Sequence, residues 1–496
     1  MGIINRKYGL FALFFGLVVF TFLTHYGDRS PYSWTWALYG HNTGELDGHA
    51  VNPDSLVLPE FTRFFYQPSV PNFSITPNIN LPLPAFTTSL SLGFFRSFML
   101  SNYVINLVAM AILIALFLNF AKQNKISNRS LLISGLTVFS LPYVGHYIGQ
   151  PLTYITGPVI SFCVVFILCG LIERGEKCPW TLGSLLMILG MNYDPYVFIT
   201  ALVIWVVCFY RFPKLLDYVI FFGVGLLPII VWRWTARQIG GEIGDQHGSF
   251  FGPILASWLS FVKHPTKEIL FPFLTAHVGL TFVFRQTLSY LFWPLLGFTL
   301  FLLWKAQPSI QRSKTAQFIA LLAGSYFLEQ MATAAFDWEN NPRRAIPLLF
   351  CFGYAYVYLV EHFYDTKKIR RILIVLVCIT FFLSFADFFL NKPVIQALQF
   401  GQVTHTDPKQ ILEWRDKKLT KESLPNIPQD KNLALFQYGQ AKVDRAWLPH
   451  FVLSQSFLFL NLFLIFFYLA RLQLLPKRSP HVFGVVFILS LIVRFL

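Results

Sequence analysis

The sequence predicts an all-α polytopic membrane protein with about 13 transmembrane helices, because a run of roughly 20 apolar residues crosses a bilayer as a helix. Of its 496 residues, 55% are hydrophobic and only 13% are charged, and the mean hydropathy is +0.54. Soluble domains contain about 25% charged residues. Long apolar runs occupy 9–26, 98–121, 215–234 and 371–390. Polar and apolar residues do not alternate in them as in a β-strand, so helices are predicted throughout.

Each predicted span corresponds to one apolar run, taken in chain order. The run GLFALFFGLVVFTFLTHY at 9–26 lacks a small-residue cleavage site, so we interpret it as an uncleaved first span and not as a signal peptide. The two spans within 180–210 are short, and MNYDPYV interrupts them. The predicted spans lie near 9–26, 97–121, 130–148, 157–172, 180–192, 196–210, 215–235, 287–304, 315–335, 345–361, 371–390, 450–470 and 480–496.

Lysine and arginine residues predict which helix ends face the cytoplasm. They cluster in seven places that alternate with loops nearly free of them, as the positive-inside rule describes. The seven places are Arg6/Lys7, Lys122/Lys125/Arg129, Arg174/Lys177, Arg211/Lys214, Lys305/Arg312/Lys314, Lys367/Lys368/Arg370/Arg371 and Arg471/Lys477/Arg478. We predict that these loops are cytoplasmic and that the remaining, outer loops face the periplasm or a lumen.

The net charge and the cysteines exclude other classes of protein. The charge of +15 comes from basic residues in short loops between apolar runs, which does not predict a nucleic-acid partner. Five of the six cysteines lie inside apolar runs, so no disulfide framework is predicted. The lack of disulfide pairs favours a bacterial inner membrane, with the outer loops in the periplasm.

The first outer loop, 26–96, concentrates acidic residues in a chain that has few. Its stretch GHNTGELDGHAVNPDS, at 40–55, contains three carboxylates and two histidines, and Asp28 follows the first span directly. The loop also contains eight prolines, which favour an ordered irregular path over long helices. The loop is therefore the first candidate for a functional site.

Other outer segments add candidate residues. These are His146 and Gln150 in LPYVGHYIGQPLTY, Asp194 in MNYDPYVF, Arg237 and His247 in the loop 236–286, and Arg343 and Arg344 in DWENNPRRAIPLL. The two adjacent arginines run against the positive-inside pattern. The planar guanidinium of arginine suits the oxygens of a phosphate.

A long first outer loop, three hairpins with short loops and a second long outer loop, the fourth in order, form a layout that resembles the GT-C superfamily. These membrane glycosyltransferases use polyprenyl-phosphate sugar donors. The resemblance implies a GT-C-like transmembrane core over 1–304 with outer loops 26–96 and 236–286. The predicted remainder is additional transmembrane helices over 305–390, an outer polar segment over 391–449 and C-terminal transmembrane helices over 450–496.

The resemblance also implies catalytic residues. GELDGHA is similar to the acidic motif that the family carries in its first outer loop, which implies that Asp47 is the catalytic base and Glu45 its neighbour. Asp28 is the alternative, and the acids of 40–55 could instead merely solvate a loop. The second outer loop lacks the family's further carboxylate, and Asp194 could supply it or could cap a helix ahead of Pro195.

Substrate and metal binding follow from the same resemblance. Arg343 or Arg344 would hold the lipid phosphate, or would pair with acids close by in sequence. The polar residues of 236–286, Arg237 and His247 among them, would contact donor or acceptor, as would His146 and Gln150. No metal ligand set is predicted, although carboxylates could bind a divalent cation, Mg²⁺ or Mn²⁺.

The predicted function is sugar transfer from a polyprenyl-phosphate donor to a lipid or glycan acceptor at the outer face, with membrane lipids as the surroundings. Three alternatives stay open. A transporter or flippase of lipid-linked sugar would have charged residues in the middle of its spans and an internal repeat. The sequence has few such charges and no repeat. The segment 391–449 is compatible with a surface-polysaccharide polymerase or ligase. The missing carboxylate is compatible with a catalytically silent GT-C-like scaffold.

Overall fold

The structure is a computed structural model, and it describes residues 2–25, 82–95, 98–140, 148, 155–192, 195–238, 317–318, 321–322, 346–375, 378 and 448–495. Within these residues all regular structure is helical and no strand occurs, which confirms the all-α prediction. Four helices in this part are long and apolar enough to cross a membrane, namely Leu100–Gln123, Thr156–Glu173, Leu215–Trp232 and Phe451–Arg471. The apolar helices indicate a membrane protein. The predicted count of about 13 spans extends beyond the described residues.

We number the helices in chain order. They are α1 (Gly2–His25), α2 (Pro82–Phe95), α3 (Phe98–Gln123), α4 (Asn128–Phe139), α5 (Thr156–Glu173), α6 (Pro179–Gly190), α7 (Pro195–Trp205), α8 (Leu215–Gln238), α9 (Ile346–Phe363), α10 (Leu448–Arg471) and α11 (Ser479–Phe495). A π-helical turn, Val206–Tyr210, extends α7. Residues 367–375 are also helical.

Several helix ends follow from local sequence signals. Ser127 caps α4, where its side chain accepts a hydrogen bond from the backbone N–H of Ser130. Proline occupies the first position of α6 and of α7, where a missing N–H costs nothing. The predicted interruption of the 180–210 pair is present, because α6 ends at Gly190 and α7 begins at Pro195.

Helix α5 is the centre of the described bundle. It packs against α2, α3, α6, α9 and α10, and nearly all of its side chains are buried. Such burial needs an element that is apolar on every face, and the stretch TGPVISFCVVFILCGLIE has this property. Helix α5 therefore provides a common packing surface for the five helices around it.

Helix α2 lies inside the predicted outer loop 26–96, yet it is buried against α3, α5, α10 and α11. Pro82 and Pro84 fall in its first turn, where proline is tolerated, so the proline-rich sequence does not prevent this helix. Its 14 residues are too few to span a bilayer of roughly 30 Å, and short apolar helices of this kind are buried core elements. The predicted loop thus ends in a helix within the bundle.

The loops rich in lysine and arginine meet at one end of the bundle, which we call the basic end. It comprises 122–129, 173–178, 210–217, 361–371 and 471–478, with fourteen Lys or Arg against five Asp or Glu. These loops are joined directly to one another. Arg471 pairs with Glu176 at 3.0 Å, the Tyr210 hydroxyl donates to the Glu176 carbonyl, and the Gln123 amide donates to the Leu472 carbonyl at 3.1 Å. The predicted alternation of basic and non-basic ends therefore holds for these helices.

Candidate functional site

Buried polar side chains gather at the opposite end of α3, α5 and α6. Asn106 of α3 donates from Nδ2 to the carbonyl oxygen of Ile148 at 3.1 Å. Thr156, the first residue of α5, donates from Oγ1 to Asn106 Oδ1 at 2.6 Å. Both oxygens of this pair are enclosed by apolar helices, where an unsatisfied polar group is costly. The two bonds fix the start of α5 and residue 148 against α3.

Asn192, directly after α6, makes a second set of contacts. Its Nδ2 donates to the carbonyl oxygen of Gly157 and to Ser161 Oγ, each at 2.7 Å. Asn192 is fully buried, and its Oδ1 accepts no hydrogen bond from the described residues. We call Asn106, Thr156, Ser161 and Asn192 the polar cluster. The Oδ1 of Asn192 is an acceptor to which a hydroxyl or amine could donate.

An arginine lies buried between α11 and α2. Arg494 is only 6% exposed, and its Nη2 donates to the Ser89 carbonyl at 2.8 Å and lies 3.3 Å from Ser89 Oγ. One turn earlier, Ser490 Oγ donates to the Leu90 carbonyl at 3.0 Å. A guanidinium stays charged when buried, so these acceptors stabilise a positive charge inside the bundle. The position of α2 is thereby fixed from one side.

Most residues predicted for the active site lie outside the described residues. This holds for Asp28, Glu45, Asp47, His146, Gln150, Asp194, His247, Arg343 and Arg344. Arg237 lies in the last turn of α8, where the structure describes its backbone and not its side chain. Their catalytic and binding roles therefore stay predictions.

The described residues that flank three of the predicted loops do come together. The segment that follows Asp47 leads into α2. Near the start of α2, the backbone N–H of Leu83 donates to the Met191 carbonyl oxygen at 3.1 Å. Met191 precedes Asn192, and Asp194 follows two residues later. Asn192 in turn bonds to the first turns of α5. The segment that contains His146 and Gln150 leads into this start of α5. Three loop ends thus meet at one place, opposite the basic end.

Metal binding has no support from the described part of the chain. No group of three or more His, Cys, Asp or Glu side chains that could hold a metal ion occurs among the described residues. The acids for which a divalent cation is predicted lie outside them.

Asn106, Thr156 and Arg494 are not among the candidates predicted from the sequence. Each lies in a predicted span or at its edge, and a polar or charged residue inside an apolar run is itself a signal of an interhelical contact or a functional site. The sequence shows these polar residues within apolar runs but does not show which residues they contact. The partners are distant in sequence, since Arg494 and Ser89 are 405 residues apart.

Comparison of the chain with family models, with curated proteins and with solved structures finds no match.

Proposed function

We propose that this protein is a membrane glycosyltransferase that moves a sugar from a polyprenyl-phosphate donor to a lipid or glycan acceptor. The reaction takes place at the end of the bundle opposite the basic end. The observation that supports this is the meeting of loop ends at the polar cluster, because it brings together the flanks of the segments that carry Asp47, His146 and Asp194. An active site assembled from several loops requires such a common anchor.

In the proposed reaction Asp47 is the general base. Its carboxylate takes the proton from the acceptor hydroxyl while that oxygen forms a bond to the anomeric carbon of the sugar. The bond from the anomeric carbon to the phosphate oxygen breaks, and polyprenyl phosphate leaves with the bonding electron pair. Asp28 or Asp194 assists as a second acid, and Glu45 is the neighbour that adjusts the charge around Asp47.

The leaving phosphate gains negative charge and needs cationic donors. Arg343 and Arg344 fill this role, because a guanidinium presents two parallel N–H groups to phosphate oxygens. His146, Gln150, Arg237 and His247 contact the donor or the acceptor. If the carboxylates bind Mg²⁺ or Mn²⁺, the cation takes part of that charge.

The prenyl chain needs an apolar surface within the membrane. The outward face of α8 offers one close to Arg237, since Leu227, Ile230 and Trp234 are each 60% exposed. Exposed apolar side chains on a membrane helix contact lipid chains, and a prenyl chain has the same chemistry. The phosphate then lies near the end of α8.

The test is a transfer assay with the purified full chain, reconstituted with radiolabelled polyprenyl-phosphate sugars and envelope lipids and glycans. Asp47→Asn is expected to lower the transfer rate by at least about a hundredfold, the lower range for loss of a general base. Asp217→Asn is the matched control, because Asp217 lies at the basic end and should leave the rate unchanged. A parallel assay with a chelator reports the metal requirement.

The outcomes separate the alternatives. If Asp28→Asn abolishes transfer and Asp47→Asn does not, the reaction stands and the base is Asp28. If wild type transfers label from no donor but moves lipid-linked sugar across vesicles, the protein is a flippase and the proposal is wrong. If wild type forms long polymers from lipid-linked oligosaccharide, the protein is a polymerase and the proposal is wrong. Binding of donor without turnover indicates a silent scaffold.

A further inference from the structure

Two basic loops that are far apart in sequence form one surface at the basic end. The first follows α3 and the second follows α9. Their seven cationic residues, which we call the paired-loop patch, are Lys122, Lys125, Arg129, Lys367, Lys368, Arg370 and Arg371. The positive-inside rule predicts the sign of each loop but not that these two lie side by side.

Hydrogen bonds to one carboxylate hold the loops together. Glu361 Oε2 accepts from the Ser127 backbone N–H at 2.9 Å and from Ser127 Oγ at 2.7 Å. The two residues are 234 positions apart. Farther along, α4 and α9 continue to pack against each other as an antiparallel pair. The patch is thus built on two packed helices and not on free loops.

The cations of the paired-loop patch are available to a ligand. All except Arg370 are exposed, and none of the seven forms an ion pair with any part of the chain that the structure describes. Arg370 is half-buried, with its guanidinium 5.8 Å from the centre of the Tyr364 ring. The only acids within the two loops are Glu361, which is engaged by Ser127, and Asp365. An excess of five positive charges remains.

An apolar surface continues directly from these charges. In the helical stretch 367–375 the cations come first, and Ile372, Ile374 and Val375 follow with 44%, 46% and 53% of their surfaces exposed. A surface with cations at the headgroup level and exposed aliphatic residues next to them matches the two parts of a phospholipid. Free phosphate would contact only the cations and not the aliphatic residues.

We propose that the paired-loop patch is a binding site for an anionic phospholipid of the leaflet at the basic end. The cations hold the headgroup phosphate, and the acyl chains lie against the aliphatic residues that follow Arg371. Clusters of four to eight Lys or Arg at the cytoplasmic end of a helix bind anionic headgroups, with about a fivefold gain in affinity for each cation. The site is independent of the sugar-transfer proposal.

The experiment compares two variants that lose the same charge. K125Q/K367Q/K368Q removes three cations from the paired-loop patch, and K214Q/K477Q/R478Q removes three exposed cations elsewhere on the basic end. The purified full chain is equilibrated with micelles of nonionic detergent containing equimolar phosphatidylglycerol and phosphatidylcholine. Native mass spectrometry then counts the retained lipids of each kind, and thermal unfolding in lipid-free detergent verifies that each variant folds.

Wild type and the control variant should retain phosphatidylglycerol in preference to phosphatidylcholine, and the patch variant should lose that preference by at least tenfold. Equal loss in both variants would show a diffuse effect of net charge and overturn the proposal. So would a wild type without preference. If inorganic phosphate raises the unfolding temperature of wild type as much as phosphatidylglycerol does, the patch binds phosphate and not lipid, and the proposal is wrong.

Discussion

Met191 and Asn192 show how the end of one helix can join several segments of a membrane protein. The amide of Asn192 bonds to Gly157 and Ser161 of α5, while its neighbour Met191 accepts from Leu83 of α2. The contacts are buried, so water does not compete for them. Met191 and Asn192 together set the distances between three helix ends. The loops that continue from these ends therefore begin at fixed positions.

Asn192→Ala should lower the free energy of unfolding by about 1 kcal/mol, the usual value for interhelical hydrogen bonds in membranes. Ser184→Ala is the control, because Ser184 is half-buried and its only hydrogen bond to a described residue is to the Trp180 carbonyl of its own helix, at 2.8 Å. Unfolding in mixed micelles of sodium dodecyl sulfate measures both. Equal losses in the two variants would mean that Asn192 contributes no interhelical bond.

Among the described helices, α6 and α8 pack closely because glycines line their contact. A methyl group at Gly183 would lie 2.9 Å from the Phe221 carbonyl oxygen and 2.8 Å from Val224 Cβ. Gly225 faces Leu186 across the same contact, and Gly190 faces Ile229. Small residues allow two membrane helices to approach closely and gain van der Waals contacts. The pair therefore depends on the absence of side chains at these positions.

Gly183→Ala should lower the free energy of unfolding by about 1–3 kcal/mol, because the added methyl group meets backbone that cannot move aside. Gly223→Ala, on the partner helix, provides a matched control, because no atom of a described residue lies within 4 Å of the added group. Its only effect should be a slight stabilisation, since alanine favours a helix more than glycine does. The proposal of close packing fails if Gly183→Ala unfolds at the same denaturant concentration as Gly223→Ala.

The helices differ in how well the sequence predicts them. Helices α3, α5, α8 and α10 have apolar runs long enough to span a membrane, so composition alone predicts them. Helix α2 was not predicted, because its 14 residues are short and begin in a proline-rich loop. Its burial depends on α3, α5, α10 and α11, which its own sequence does not describe. Hydrogen-bond partners such as Arg494 and Ser89 are unpredictable for the same reason.

The molecule as a whole has two chemically different ends. Basic loops bonded to one another form one end, and buried amides and hydroxyls join the helix ends at the other. The basic loops that the positive-inside rule groups together therefore lie at one end of the described bundle, and the side of the membrane that this end faces stays a prediction. The proposed anionic-lipid site lies at the basic end, and the proposed sugar transfer takes place at the opposite end.

Chemical labelling can test this division in one experiment. In a chain without its native cysteines, K125C, K214C and R478C place single thiols on three loops of the basic end, where the native side chains are exposed. Because these loops belong to one charged end, all three thiols should react with a membrane-impermeant maleimide in inside-out vesicles and none in intact cells. S55C, in the predicted outer loop 26–96, should give the reverse pattern. One basic-end thiol labelled in intact cells would disprove a common cytoplasmic face.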